Sequence, residues 1–197
     1  MEYHALLSGA VILLSFAGYI PYLWSILKGQ NKPHLFTWIT ATLTAGIAWA
    51  LQVLGGAGIG SWPMLVVTML CVCVVVLSLW RGTKDITRSD AVCLAASLFA
   101  LYLWLVVDEP IASVILITIA EVVSYIPTVR KSWNDPYNEN LTLYQVSMFR
   151  HALAVVALEQ INLLTALYPA AWALTNLVIA FILIARRRAL PHLRPGA

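Results

Sequence analysis

Seven apolar runs, near residues 5–27, 36–54, 62–80, 91–107, 111–129, 142–163 and 169–185, take up most of this chain of 197 residues. A helix needs about 20 apolar residues to cross a bilayer, so seven such helices leave little beyond their connections. Only 11% of the residues are charged, against roughly 25% in soluble domains. The bilayer is therefore the solvent this chain is built for, and the fold class it predicts is an all-α membrane protein. A secreted disulfide scaffold, a nucleic-acid binder, a disordered tail and a separate soluble catalytic domain are excluded. The breaks between runs carry ordinary punctuation, such as Lys28-Gly29-Gln30-Asn31-Lys32-Pro33 and the glycine-rich stretch from Gly55 to Gly60. Pro33, Pro63, Pro110 and Pro169 are expected at helix starts, where a missing N–H costs nothing. Met1-Glu2-Tyr3-His4 lacks a basic leader, so the first run is expected to be a retained helix.

The cations sort themselves by connection. Lys28 and Lys32, then Arg81, Lys84 and Arg88, then Arg130 and Lys131, then Arg186, Arg187, Arg188 and Arg194 all fall on one side, which leaves only Arg150 of the twelve inside a run. The opposite side carries Glu2, Asp108 and Glu109. Positive charge stays on the cytoplasmic side, so the N-terminus is expected outside and the C-terminus in the cytoplasm, in a plasma (inner) membrane. An odd number of spans is required. Trp24, Trp38, Trp62, Trp80, Trp104 and Trp133 lie near predicted helix ends, where amphipathic rings favour the headgroup layer. Asn140-Leu141-Thr142 spells a glycosylation sequon but falls on the cytoplasmic side. Cys71, Cys73 and Cys93 lie within apolar runs and suggest neither a disulfide framework nor a metal site.

The chain also repeats itself. At an offset of 106 residues, Tyr19-Ile20-Pro21 falls on Tyr125-Ile126-Pro127, Trp62-Pro63 on Tyr168-Pro169, Leu35 on Leu141, and Arg81 on Arg187. Helix boundaries and loop lengths match at the same offset. This predicts three helices, a linker helix and three more helices: a first repeat over 1–82, the linker over 83–110, and a second repeat with its basic tail over 111–197. The single inverting helix gives two parallel three-helix bundles the same orientation, related by an axis along the membrane normal. In this plan, and in the prolines Pro21 and Pro127 within the first helix of each triplet, the chain resembles the SWEET and PQ-loop superfamily. PnuC-type vitamin transporters share the plan. Tyr22 and Thr128 stand where PQ-loop proteins carry a glutamine after that proline. The resemblance also implies a proline early in the second helix of a triplet, a place Pro33 fills, and an asparagine in the third helix, a place Asn176 fills. It implies a transporter that works by alternating access.

Ionisable groups inside a bilayer are costly and mark candidate sites. Glu121 and Arg150 each lie about eight residues from the cytoplasmic end of consecutive helices, roughly 12 Å deep at 1.5 Å per residue. Equal depth predicts an ion pair, either a static bridge or part of a solute cavity. Their repeat mates are the hydroxyl residues Ser15 and Thr44. Tyr125 flanks a polar stripe made by Glu121, Ser124 and Thr128. Trp49 with Gln52 forms a candidate wall for a small polar ring, and Asn176 either binds solute or bonds a neighbouring helix. Glu159 belongs to a polar rim with Gln160 and Asn162, and His151 is expected to be a hydrogen-bond partner of Arg150. Pro21 and Pro127 free the carbonyls of Ala17 and Val123 and are expected to act as equivalent kinks or hinges.

Together these features predict a carrier for a small polar solute, a facilitator or one coupled to a proton through Glu121. No nucleotide-binding loop, redox motif or metal cluster is visible, and no cofactor or enzymatic activity is expected. A ligand-binding receptor or sorting protein and a structural membrane subunit are the alternatives on the same scaffold. Oligomeric state and the identity of the solute are not legible.

Overall fold

The computed structural model describes residues 2–84 and 88–190, apart from the side chains of Ser89, Asp90, Pro127 and Asn138. Arg194, counted above in the basic tail, lies outside the described residues. The elements are helical: α1 (Glu2–Leu27), α2 (Leu35–Leu54), α3 (Trp62–Arg81), α4 (Arg88–Leu105), α5 (Pro110–Ser124), α6 (Ile126–Asn134), α7 (Leu141–Val156) and α8 (Leu163–Ala189). Helices α5 and α6 follow each other across one turn residue, Tyr125, so the described residues form seven rods.

Five rods, Glu2–Leu27, Leu35–Leu54, Gly58–Arg81, Pro110–Asn134 and Leu163–Ala189, are long and apolar enough to cross a membrane. The apolar part of α4 spans only Ala91–Leu105. Helix α7 has 16 residues, about 24 Å against a hydrocarbon core of about 30 Å. Leu6, Leu13, Trp80, Phe149 and Phe181 each point more than half of their surface outward. Apolar surface on this scale is not carried into water by soluble monomers; the chain is a membrane protein.

Two boundaries depart from the sequence reading, for one reason. The run expected at 142–163 stops being helical at Val156, because Glu159, Gln160 and Asn162 leave the helix to make polar contacts. Asn162 caps α8 instead: its side chain accepts from Leu164 N (3.0 Å) and Thr165 N (3.3 Å), and Thr165 Oγ1 accepts from its backbone N–H (3.0 Å). This capping box starts α8 at Leu163, so Pro169 lies inside the helix and not at its start. A proline there leaves the carbonyl four residues earlier, on Thr165, without its helical donor. Gln52 of α2 supplies one, with Nε2 donating to Thr165 O at 3.0 Å. Backbone opened at membrane depth must find such a partner within the protein.

The two expected hinges are not equivalent. Helix α1 runs unbroken through Pro21, whereas Pro127 sits in the first turn of α6, after the chain has already turned at Tyr125.

Helix α3 packs on both α1 and α2, and α8 packs in the same way on α5 and α7. Between these groups α1 meets α7 and α2 meets α5, while α4 lies against α2 and α5. The apolar core sits where α2, α4, α5 and α8 converge, around Leu51, Ala100, Ile117 and Tyr168. The segment before α2 is tied to the end of α3 by Leu35 N to Thr83 O (2.9 Å) and Thr83 N to Pro33 O (3.0 Å). The ends bearing Lys28, Arg81, Lys131 and Arg187 form a basic face. The Gly55–Ser61 connection, residues 157–162 and the start of α1 meet at the opposite face.

Candidate functional site

A cavity of about 580 Å³ lies between the two groups of helices, with walls from α1, α2 and α3 on one side and α5, α7 and α8 on the other. Its volume is in the range of small-molecule sites. It extends from Gly60 and Pro63 near the opposite face to Thr37 and Tyr144 near the basic face. Glu121, Arg150, Asn176, Gln52 and Tyr125, all singled out from the sequence, line it. Trp49 does not; it is half-buried on α2 outside the wall. Its aromatic walls include Trp38, expected near a helix end, and Trp172, which the sequence did not single out as a site residue.

The expected ion pair is not formed. Thr44 Oγ1 donates to Glu121 Oε1 at 2.6 Å, and Arg150 Nη1 donates to Ser15 Oγ at 3.2 Å. Thr44 Oγ1 also lies 3.1 Å from the carbonyls of Thr40 and Ala41. A hydroxyl has one proton, and the carboxylate is the shortest and most strongly charged of its three acceptors. Ser15 divides its capacity without conflict, donating to Val11 O at 2.8 Å and accepting from Arg150. The single ion pair among the described residues, Lys131 with Glu139 at 2.8 Å, is at the basic face.

These two contacts have a relation that the sequence offset makes visible. At the offset of 106, Ser15 falls on Glu121 and Thr44 on Arg150. The contact 44–121 therefore maps onto the contact 150–15 when the halves are exchanged. Each charged residue is hydrogen-bonded to the position that the offset aligns with the other charge: Glu121 accepts from Thr44, and Arg150 donates to Ser15. In place of the expected pair between α5 and α7 there are two contacts, one from α5 to α2 and one from α7 to α1.

Arg150 has a second neighbour, His151, whose Nε2 lies 3.0 Å from Nη2. The imidazole Nδ1 is 2.8 Å from Ser147 O. Nδ1 must donate to that carbonyl, which leaves Nε2 to accept from the guanidinium; the tautomer follows from the network. The imidazole stacks on Trp172 with ring centres 5.4 Å apart, and Tyr125 meets the same indole edge-on at 5.1 Å. Tyr125 caps α5, one turn after Glu121. An aromatic wall thus runs from the acid to the guanidinium through Tyr125, Trp172 and His151. Asn176 is buried beside it and spends its amide N–H on Trp172 O at 2.7 Å. Gln52, as described, serves the backbone of α8, while its Oε1 is buried without a protein partner.

At the opposite face the two groups of helices are joined by contacts between their connections. Glu159 N donates to Ala57 O (3.1 Å), Ile59 N to Glu159 Oε1 (3.3 Å), and Asn162 Nδ2 to Gly55 O (2.8 Å). Two glycines make this approach possible. Gly58 has φ of +58° and a Cβ there would meet the Glu159 carboxylate, and a Cβ on Gly60 would lie 2.5 Å from Ala157 O. Glu159 is exposed at this rim, as its polar neighbours predict. Among the described residues no cluster of His, Cys, Asp and Glu has the makings of a metal site.

No protein-family model matches the chain, and neither a curated protein nor a solved structure does.

Proposed function

We propose that the protein carries a small polar solute across the membrane through this cavity by alternating access. In this reading α1–α3 and α5–α8 are two like-oriented three-helix bundles, α5 and α6 counting as one broken helix, joined by the inverting helix α4. The basic face lies in the cytoplasm and the opposite face outside. The observation that carries the proposal is the cavity itself: a largely apolar and aromatic space between the two bundles, with Glu121, Arg150, Gln52 and Asn176 set into its wall. Solute sites in carriers built from repeats lie at the repeat interface near the midplane. The packing of α3 and α8 in matching roles and the exchange-related contacts of Glu121 and Arg150 support the repeat. The short α7 and the loop after it give the second bundle a rim that can part from the Gly55–Ser61 connection without unfolding a helix. Glu121 is the one acid lining the cavity among the described residues, so a coupling proton would travel on it.

The test is release from proteoliposomes loaded with a defined mixture of amino acids, sugars and nucleosides, quantified by mass spectrometry. The proposal expects one class to leave faster than from protein-free vesicles. Saturable binding without release would establish a receptor, and neither binding nor release a structural subunit; both overturn it.

A further inference from the structure

We infer that the solute is a zwitterion carrying one ammonium and one carboxylate, held by Glu121 and Arg150 together. The inference rests on the cavity being the solute site. Opposite charges on one cavity wall ordinarily neutralise each other, because an isolated charge at membrane depth is costly. Here they do not: Glu121 takes a hydroxyl from Thr44, and Arg150 gives its hydrogen bonds to Ser15 and His151. Neutral partners compensate each charge only in part. The carboxylate keeps an oxygen, Oε2, with no hydrogen-bond partner among the described residues, and the guanidinium keeps its Nε–H in the same condition. One negative and one positive position therefore remain to be completed inside a single cavity.

The solute that completes both brings one charge of each sign. A neutral polyol leaves both charges uncompensated, a simple amine answers only Glu121, and a simple acid answers only Arg150. The two positions belong to one site. Helix α8 touches both helices that carry the charges, and its Trp172 bears the His151 ring on one side and Tyr125 at its edge. The solute's body lies along this indole, with Trp38 lining the cavity from α2. The cavity's net charge stays at zero when such a molecule enters, so it can cross a membrane without carrying charge.

The probes are the twenty standard L-amino acids, 4-aminobutyrate and glycine betaine, screened by thermal shift on purified full-length protein, with glucose and uridine as neutral controls. The best binder is then compared with its decarboxylated amine and its deaminated acid by calorimetry. The inference expects an amino acid to bind and each single-charge analogue to bind at least tenfold more weakly. With Glu121→Gln the preference over the acid analogue is lost, and with Arg150→Gln the preference over the amine analogue is lost. The wild-type comparison stands even where a variant fails to fold. Analogues that bind as well as the zwitterion overturn the inference. Binding of glucose or uridine in place of amino acids overturns it too and leaves the carrier reading intact. Absence of binding by any zwitterion also overturns it, and proteoliposome release then decides the carrier reading by itself.

Discussion

Thr44 and Ser15 show how much of this protein turns on uncharged residues. Thr44 is 1% exposed and its hydroxyl faces a carboxylate. Replacing it by valine keeps the shape and removes the donor, and hydrogen bonds to charged groups are worth about 1.5–3 kcal/mol. Thr44→Val is expected to destabilise the protein by that order, and by much less in a Glu121→Gln background; thermal unfolding of the four proteins in detergent measures the coupling. Equal cost in both backgrounds would show that the bond is idle. A second residue-scale prediction concerns Glu139, in the connection before α7. Burial alone would raise its carboxyl, but hydrogen bonds from Lys131 and from Tyr144 Oη (2.8 Å) outweigh this and hold it below the usual carboxylate range. A lowered folded value means that the stabilisation is present above the unfolded value, about 4.3, and is lost as the pH falls through the folded one. Glu139→Gln should lower the melting temperature at pH 7, with the gap to wild type closing in acid; a gap independent of pH would contradict the assignment. The sequence named Glu121 and Arg150 because charges in apolar runs are conspicuous. It named His151 as a partner of Arg150 but not Thr44 or Ser15 as partners, because Ser and Thr in helices so often bond back to their own backbone, as Thr40 and Ser78 do here.

At the scale of elements, apolar periodicity located the rods to within a few residues, except where polar residues decided the outcome. Helix α7 ends early, and α8 starts early, because a capping box and a rim of hydrogen bonds outweigh a few more turns of helix. Apolar runs report burial in lipid and not the competition for hydrogen bonds at their ends. Pro169 then needs Gln52, and this dependence is testable. Gln52→Leu leaves the Thr165 carbonyl unpartnered and should cost about 0.6 kcal/mol, a common value for hydrogen bonds between membrane helices. In a Pro169→Ala background the new backbone N–H takes over, and the same change should cost close to nothing. If Gln52→Leu is equally damaging with and without the proline, Gln52 has a different task. Trp49, Pro21 and Pro127 are a further lesson: a helical face and a matched offset bring residues to mind but do not say which side of a rod faces the cavity, or whether a proline bends a helix or begins one.

For the whole molecule, the sequence offset led to the expectation of a cavity near Glu121 and Arg150, and a cavity lined by both is present; its walls were not legible, since they depend on how α1 meets α7 and α2 meets α5. Carrier function requires the joined connections at the face opposite the cations to part. The Ala57 carbonyl accepts from the Glu159 backbone N–H at 3.1 Å, a spacing that puts the two Cα atoms within reach of a disulfide. With Cys71, Cys73 and Cys93 replaced by alanine, the pair Ala57→Cys and Glu159→Cys can lock these connections together. Release from loaded proteoliposomes should be abolished by oxidation of this pair and restored by a reductant. Release that continues unchanged with the connections covalently joined would contradict alternating access through this cavity.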